Sequence, residues 1–166
     1  LSERWFELWA FALRECEKRG LECHIYDENS FPSGFAGGHT LAADPESAIR
    51  AIEPDGQNVK WGKGKVSGWT AYQILVSLTR KKTTETFLQV THEQYARRFG
   101  AAAGHSWKYC FTDEPTLRCA GGLYATPDFF DAFAAEHDYA FMDKLEDYLS
   151  FDPQRSWPVR FDYWST

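Results

Sequence analysis

At 166 residues the chain is about one domain long, and with 43% hydrophobic residues it can bury a real core, which excludes a disordered chain. Its net charge of −6 excludes the basic stripe that a nucleic acid or other polyanion would need. No apolar run approaches the ~18 residues of a membrane span. The one basic run, Arg80-Lys81-Lys82, reads as the solvated start of a helix.

In chain order, residues 2–19 predict an amphipathic helix capped by Ser2, with Trp5, Phe6, Leu8, Trp9, Ala12, Leu13 and Cys16 on one broad face and Gly20 as its stop. Residues 21–27 read as a short strand, followed by a turn-rich loop over 28–38. Asp44-Pro45 opens a second helix to about Ile52, and residues 53–70 form an irregular connection or a small hairpin. A strand is expected over 71–78, then one long helix over 80–99 capped by Thr79. Residues 107–113 make the clearest strand, and Pro115 bars Glu114 from continuing into a helix. Helices are expected over 126–136 and 141–149. Helix and strand thus alternate, which argues for an α/β fold with a parallel sheet. The lone methionine is Met142 and the chain opens on a helix pattern, so it reads as a piece of something longer.

Aromatic residues are abundant, with 7 Trp, 8 Tyr and 13 Phe. Most serve a core, yet a sugar-binding cleft also needs aromatic faces for the C–H side of a sugar ring. The four cysteines, Cys16, Cys23, Cys110 and Cys119, form no CxxC pair and no zinc spacing, so buried free thiols are expected and no metal site is assigned.

Two strands end alike, the first in Tyr26-Asp27-Glu28 and the second in Thr112-Asp113-Glu114. In parallel α/β folds the chemistry sits at the carboxyl ends of strands. Strict alternation places Trp107, Tyr109 and Phe111 under a helix layer with Asp113, and Cys110 and Thr112 on the other face with Glu114. The same rule sends Leu21, Cys23, Ile25 and Asp27 outward, and His24, Tyr26 and Glu28 inward. Glu114 and Glu28 are therefore the catalytic candidates. A carboxyl group in such a mouth, partly desolvated beside another acid, can hold the proton that a glycosidic oxygen needs. Asp27 and Asp113 read first as loop anchors, Ser33 as a turn residue, and His39 as a loop histidine within reach of a substrate.

The segment Tyr26-Asp27-Glu28-Asn29-Ser30-Phe31-Pro32-Ser33-Gly34-Phe35-Ala36-Gly37-Gly38 resembles the YDE-x-x-[WF]-PSG-x-AGG stretch of α-L-rhamnosidase-like enzymes, glycoside hydrolase family 106 and its relatives. Thr91-His92-Glu93-Gln94-Tyr95, Arg98-Phe99-Gly100 and Phe111-Thr112-Asp113-Glu114-Pro115 are similar to that family's THExY, RFG and FTDEP blocks, in the same order, and 160–164 to its R[YF]DYW segment. The resemblance implies a partial (β/α)8 TIM barrel: residues 1–166 are a segment of the catalytic domain, with 53–70 replacing a longer insertion. It implies a hydrolase cleaving a terminal α-L-rhamnoside in oligosaccharide degradation, with Glu114 as the acid carboxylate. Tyr26, Asp27, Phe31, Ser33, His39, His92, Glu93 and Asp113 would bind or support the sugar. It further implies a periplasmic or extracellular setting and allows a calcium ion near the sugar, although no calcium loop is visible and no cofactor is required. The separation of the two acids would set stereochemistry, about 5 Å for retention and roughly 6.5–9.5 Å for inversion. The alternative is a non-catalytic carbohydrate-binding or structural fragment.

Neither a helical zinc motif nor a phosphate loop is present. His92 lacks a second histidine four residues on, and Gly62-Lys63-Gly64-Lys65 lacks the spacing and hydroxyl of a Walker loop.

Overall fold

The computed structural model describes residues 1–29, 31–55, 58–63, 75–117 and 122–166. They form two compact units, residues 1–124 and 125–166.

In the first unit, Ser2 accepts a hydrogen bond from the Trp5 amide and so starts α1 (Glu3–Lys18). The α1 face that carries Phe6, Trp9 and Leu13 is buried with Ile25 and Tyr95, and Cys23, Phe99 and Trp107 pack around it. This core joins α1 to β1 (Cys23–Tyr26), to β4 (Trp107–Phe111) and to α4 (His92–Phe99). The strands β1 and β4 pair in parallel.

Their register holds one irregularity that decides which side chains meet. Cys23 lies opposite Trp107 but Ile25 lies opposite Cys110, so β4 carries one extra residue across that step. After the bulge every β4 side chain changes face. Trp107 still packs on Trp9, 6.0 Å between ring centroids. Tyr109 instead stacks on His24 and Phe111 leans on Tyr26, away from the helices, and Cys110 comes round to the side of Asp27. Strict alternation had placed Tyr109 and Phe111 under the helix layer. The bulge is the physical reason that they stand 62% and 59% exposed.

The expected barrel is corrected. Among the described residues there are two small sheets, the parallel pair β1–β4 and a three-stranded sheet ordered β3-β2-β5, and they do not close into a barrel. In the second sheet β2 (Arg50–Asp55) runs antiparallel both to β3 (Asn58–Lys63) and to β5 (Leu123–Tyr124). Antiparallel neighbours cannot belong to the repeated strand–helix–strand crossovers of a barrel. The helix expected over 44–52 is only a 3-10 turn, Pro45–Ser47, started by the Asp44 side chain on the Glu46 amide. Ile49, Ala51 and Ile52 are then buried in extended backbone, where β-branched side chains pack well. The strand expected over 71–78 lies partly outside the described residues, and Val76 makes an antiparallel bridge with Ala48.

The long helix expected over 80–99 breaks in two, α3 (Lys81–Val90) and α4. Arg80, not Thr79, precedes its first turn. At the break Thr91 leaves helical geometry (φ −118°, ψ −87°), and its hydroxyl donates to the Phe87 carbonyl at 2.5 Å. Thr83, Thr86, Phe87, Thr91 and Tyr95 form the buried stripe, and Leu88 is 40% exposed. A short helix α2 (His39–Ala43) lies between the glycine loop and Asp44.

The second unit is built on aromatic packing. It comprises α5 (Phe129–Glu136), a 3-10 turn at Phe141–Lys144, α6 (Leu145–Leu149) and α7 (Pro153–Ser165). Phe129, Phe133, Phe141, Tyr148 and Tyr163 are buried together, mostly edge to face with centroids 5.1–5.7 Å apart. Asp152 caps α7, and Pro153 fills its first turn.

Candidate functional site

At the carboxyl end of β1 the chain turns inward. Asp27 has a fully buried carboxylate that accepts three side-chain donors. Ser33 Oγ reaches Oδ1 at 2.6 Å, Thr112 Oγ1 reaches Oδ2 at 2.6 Å, and His92 Nε2 lies 3.2 Å from Oδ2. One buried charge thus ties together β1, the loop over 31–38, the end of β4 and the start of α4. Burial works to raise the Asp27 carboxyl, but the His92, Ser33 and Thr112 hydrogen bonds outweigh it and hold the group below the usual carboxylate range. Its partner His92 is pushed up to about 9 by Asp27 first and Cys110 second, against the opposing effect of its own burial.

The expected role of Glu28 in a solvent-facing mouth meets a different geometry. Its side chain is buried, and the backbone amides of Asn29 (2.9 Å), Ala36 (2.6 Å) and Gly37 (2.9 Å) all donate to it. Ala36, Gly37 and Gly38 all have positive φ (51°, 60° and 93°), which turns successive amides toward the carboxylate. Glycine suits this bend, and a Cβ on Gly37 would fall 2.0 Å from the Asn29 side chain. Glu28 therefore shapes the glycine loop through its backbone.

The second acidic pair divides its work. Asp113 accepts a 3.0 Å hydrogen bond from the Tyr26 hydroxyl and exchanges backbone contacts with Ser33, its amide donating to Ser33 Oγ and its carbonyl accepting from the Ser33 amide. Partial burial and the bond to Asp113 push the Tyr26 phenol up to about 12. Glu114 is exposed, has a positive φ of 39°, and is engaged by no hydrogen bond or ion pair from the described residues.

A cavity of about 880 Å³ opens beside β1. Trp5, Trp9, Tyr26 and Tyr95 supply aromatic wall, and Asp27, Glu28 and His39 border it. Trp5 Nε1 donates to the Tyr95 hydroxyl at 2.7 Å, which fixes two of these rings against each other. The residues expected to bind sugar are thus partly assembled: Tyr26, Asp27, Ser33, His92 and Asp113 share one hydrogen-bonded network, and His39 lies on the cavity wall. Phe31 is 40% exposed at the start of the loop. Glu93 pairs with Arg97 along the α4 surface at 2.5 Å, and neither Glu93 nor Glu114 is among the cavity-lining residues, so the expected shared mouth for Glu28 and Glu114 is not assembled there.

Sequence reasoning placed Trp5 and Trp9 on the core-facing side of a helix and did not foresee that these rings, with Tyr95, also wall a cavity. It assigned Cys110 no role beyond that of a buried thiol, yet Cys110 is exposed and, with Asp27 and His92, forms a group whose ligand atoms all lie within 4.8 Å of one another. Among the described residues this is the group able to hold a metal, and a thiol with an imidazole does not suit calcium, which takes six to eight oxygens. No helix of the described residues is long and apolar enough to cross a membrane. Compared with known proteins, the chain matches no family model, no curated protein and no solved structure.

Proposed function

We propose that this chain carries part of a glycoside hydrolase site for a terminal α-L-rhamnoside, with Glu114 as the proton-donating carboxylate. The observation that carries the sugar-binding part of this reading is the 880 Å³ cavity, where aromatic wall and polar groups meet as a sugar requires, apolar for the ring faces and polar for the hydroxyls; Glu114 is not among its lining residues. The likeness of residues 111–115 to the FTDEP block supports Glu114, and so does its freedom from protein partners among the described residues. Asp27, by contrast, is held in its charged form by three side-chain hydrogen bonds, and the Glu28 oxygens are taken up by the Asn29, Ala36 and Gly37 amides. Glu28 then serves as a positioning residue for the glycine loop, and Asp27 as the tie between loop and strands.

The engagement of both buried acids also favours a second reading, sugar binding without turnover. The two are separated by adding L-rhamnose while following tryptophan fluorescence, since Trp5 and Trp9 border the cavity, and by assaying an aryl α-L-rhamnoside in parallel. Saturable quenching with turnover supports the hydrolase, and quenching without turnover supports the binding module. No change in either assay removes sugar from the account.

A further inference from the structure

We propose that Asp27 Oδ2, His92 Nε2 and Cys110 Sγ form a three-ligand site for a zinc-class divalent metal, leaving one coordination position for water or a small ligand. This goes beyond the proposed glycosidase reading and does not depend on it.

The case rests on where the hydrogens must be. Thr91 has one hydroxyl hydrogen, and it is donated to the Phe87 carbonyl at 2.5 Å. In its 2.9 Å contact with His92 Nδ1, Thr91 must therefore accept, so Nδ1 carries a hydrogen. Neutral His92 then presents a lone pair on Nε2, directed at the buried Asp27 carboxylate 3.2 Å away. A lone pair facing a carboxylate needs a cation between them. A proton can serve, and so can a metal, because the Cys110 sulfur completes the cluster. The same arrangement disfavours a thiol nucleophile relayed through His92. Such a relay needs the carboxylate and the thiol on opposite ring nitrogens, and here Nδ1 is spent on Thr91.

The supporting groups suit a metal. Thr91 orients the imidazole through Nδ1, and Ser33 and Thr112 donate to the Asp27 oxygens, as outer partners of metal ligands do. Imidazole, thiolate and one carboxylate select zinc or cobalt over calcium or magnesium. Metal bonds of about 2.0–2.3 Å bring ligand atoms to roughly 3.5 Å of one another. Because the ligand atoms all lie within 4.8 Å of one another, the cluster has to contract by at most about 1.3 Å, and exposed Cys110 can rotate to supply that. Binding displaces the Cys110 thiol proton and the proton on His92 Nε2, and both go to solvent.

The test is titration of the reduced full chain with Co²⁺, followed by displacement with Zn²⁺. The proposal expects one equivalent of cobalt, a thiolate-to-cobalt absorption band, and loss of the band on adding zinc. Cys110→Ser, at an exposed position, should abolish the band and weaken cobalt binding more than about tenfold, as should His92→Gln. A variant with Cys16, Cys23 and Cys119 all replaced by serine should keep the band. A band that survives in Cys110→Ser, or its absence from the unaltered chain, overturns the proposal. So does its loss from the triple variant while circular dichroism stays unchanged.

Discussion

Ser33 Oγ donates to Asp27 Oδ1 at 2.6 Å, and the same oxygen accepts the Asp113 amide at 2.8 Å. Both residues are buried, so the loop over 31–38 is fastened to the ends of both parallel strands through one hydroxyl. Removing it by Ser33→Ala should cost about 1–3 kcal/mol, because it deprives a buried carboxylate and a backbone amide of a partner. Asp27→Ala should cost more, about 3–5 kcal/mol, since it also strands His92. Urea unfolding of the two single variants and the double variant checks this. The expected outcome is a double variant less destabilised than the sum, with coupling of about 0.5–3 kcal/mol. Strict additivity would mean that the two side chains act independently.

Glu28→Gln keeps the side-chain shape but turns an amide group toward one of the three N–H groups that Glu28 now accepts. The expected cost is about 1–3 kcal/mol of stability. Hydrogen exchange at the Ala36 and Gly37 amides should quicken, while exchange in α1 stays protected. Gly37→Ala should loosen the same loop by another route, since its added Cβ meets Asn29 at a backbone φ of 60°.

Much of this organisation is legible in the residues, and the rest depends on contacts that spacing cannot express. The Ser2 cap and the Phe6–Trp9–Leu13 stripe are local, so α1 follows from its own sequence. The strand ends at Tyr26 and Phe111 lie close to where alternation and Pro115 place them. What alternation cannot show is the extra residue in β4, which exchanges the faces of Tyr109 and Cys110. Nor can periodicity show the break at Thr91, where helical spacing continues on both sides while the backbone does not. That break sets His92 against Asp27, 65 residues earlier in the chain. The small hairpin offered for 53–70 is present as β2 and β3, but it starts earlier than expected, because burial of Ile49 and Ile52 outweighs the helix-start signal of Asp44-Pro45.

The pairing of Asp44 with Arg80, 2.7 Å apart, joins the 3-10 turn at Pro45 to the start of α3. The Arg80 guanidinium outweighs burial and holds the Asp44 carboxyl below its ordinary 3.8. A depressed carboxylate contributes stability that is present in full above the ordinary value and is lost as pH falls through the folded-state value. Asp44→Asn should therefore be less stable than the unaltered protein at neutral pH. The gap should close as pH drops below 3.8, as read by urea unfolding across that range. A gap that stays constant with pH would mean that the cap on Glu46, not the charge, provides the stabilisation.

Trp9 is 9% exposed and meets Tyr95, Phe99 and Trp107 with ring centroids 4.6–6.0 Å apart. Trp9→Ala should cost about 3–5 kcal/mol in urea unfolding. Because the same ring borders the cavity, Trp9→Phe, which keeps most of the packing, should weaken sugar binding more than it lowers stability.

Hydrolysis of an aryl α-L-rhamnoside by the unaltered chain and by Glu114→Gln is the measurement on which the functional reading turns. Glu114 is exposed and has no hydrogen-bond or ion-pair partner among the described residues, so its replacement should leave the fold and sugar binding intact while turnover falls by about 100-fold or more. Equal turnover in the two proteins, or none in either while sugar still binds, would contradict the assignment of Glu114 as the proton donor.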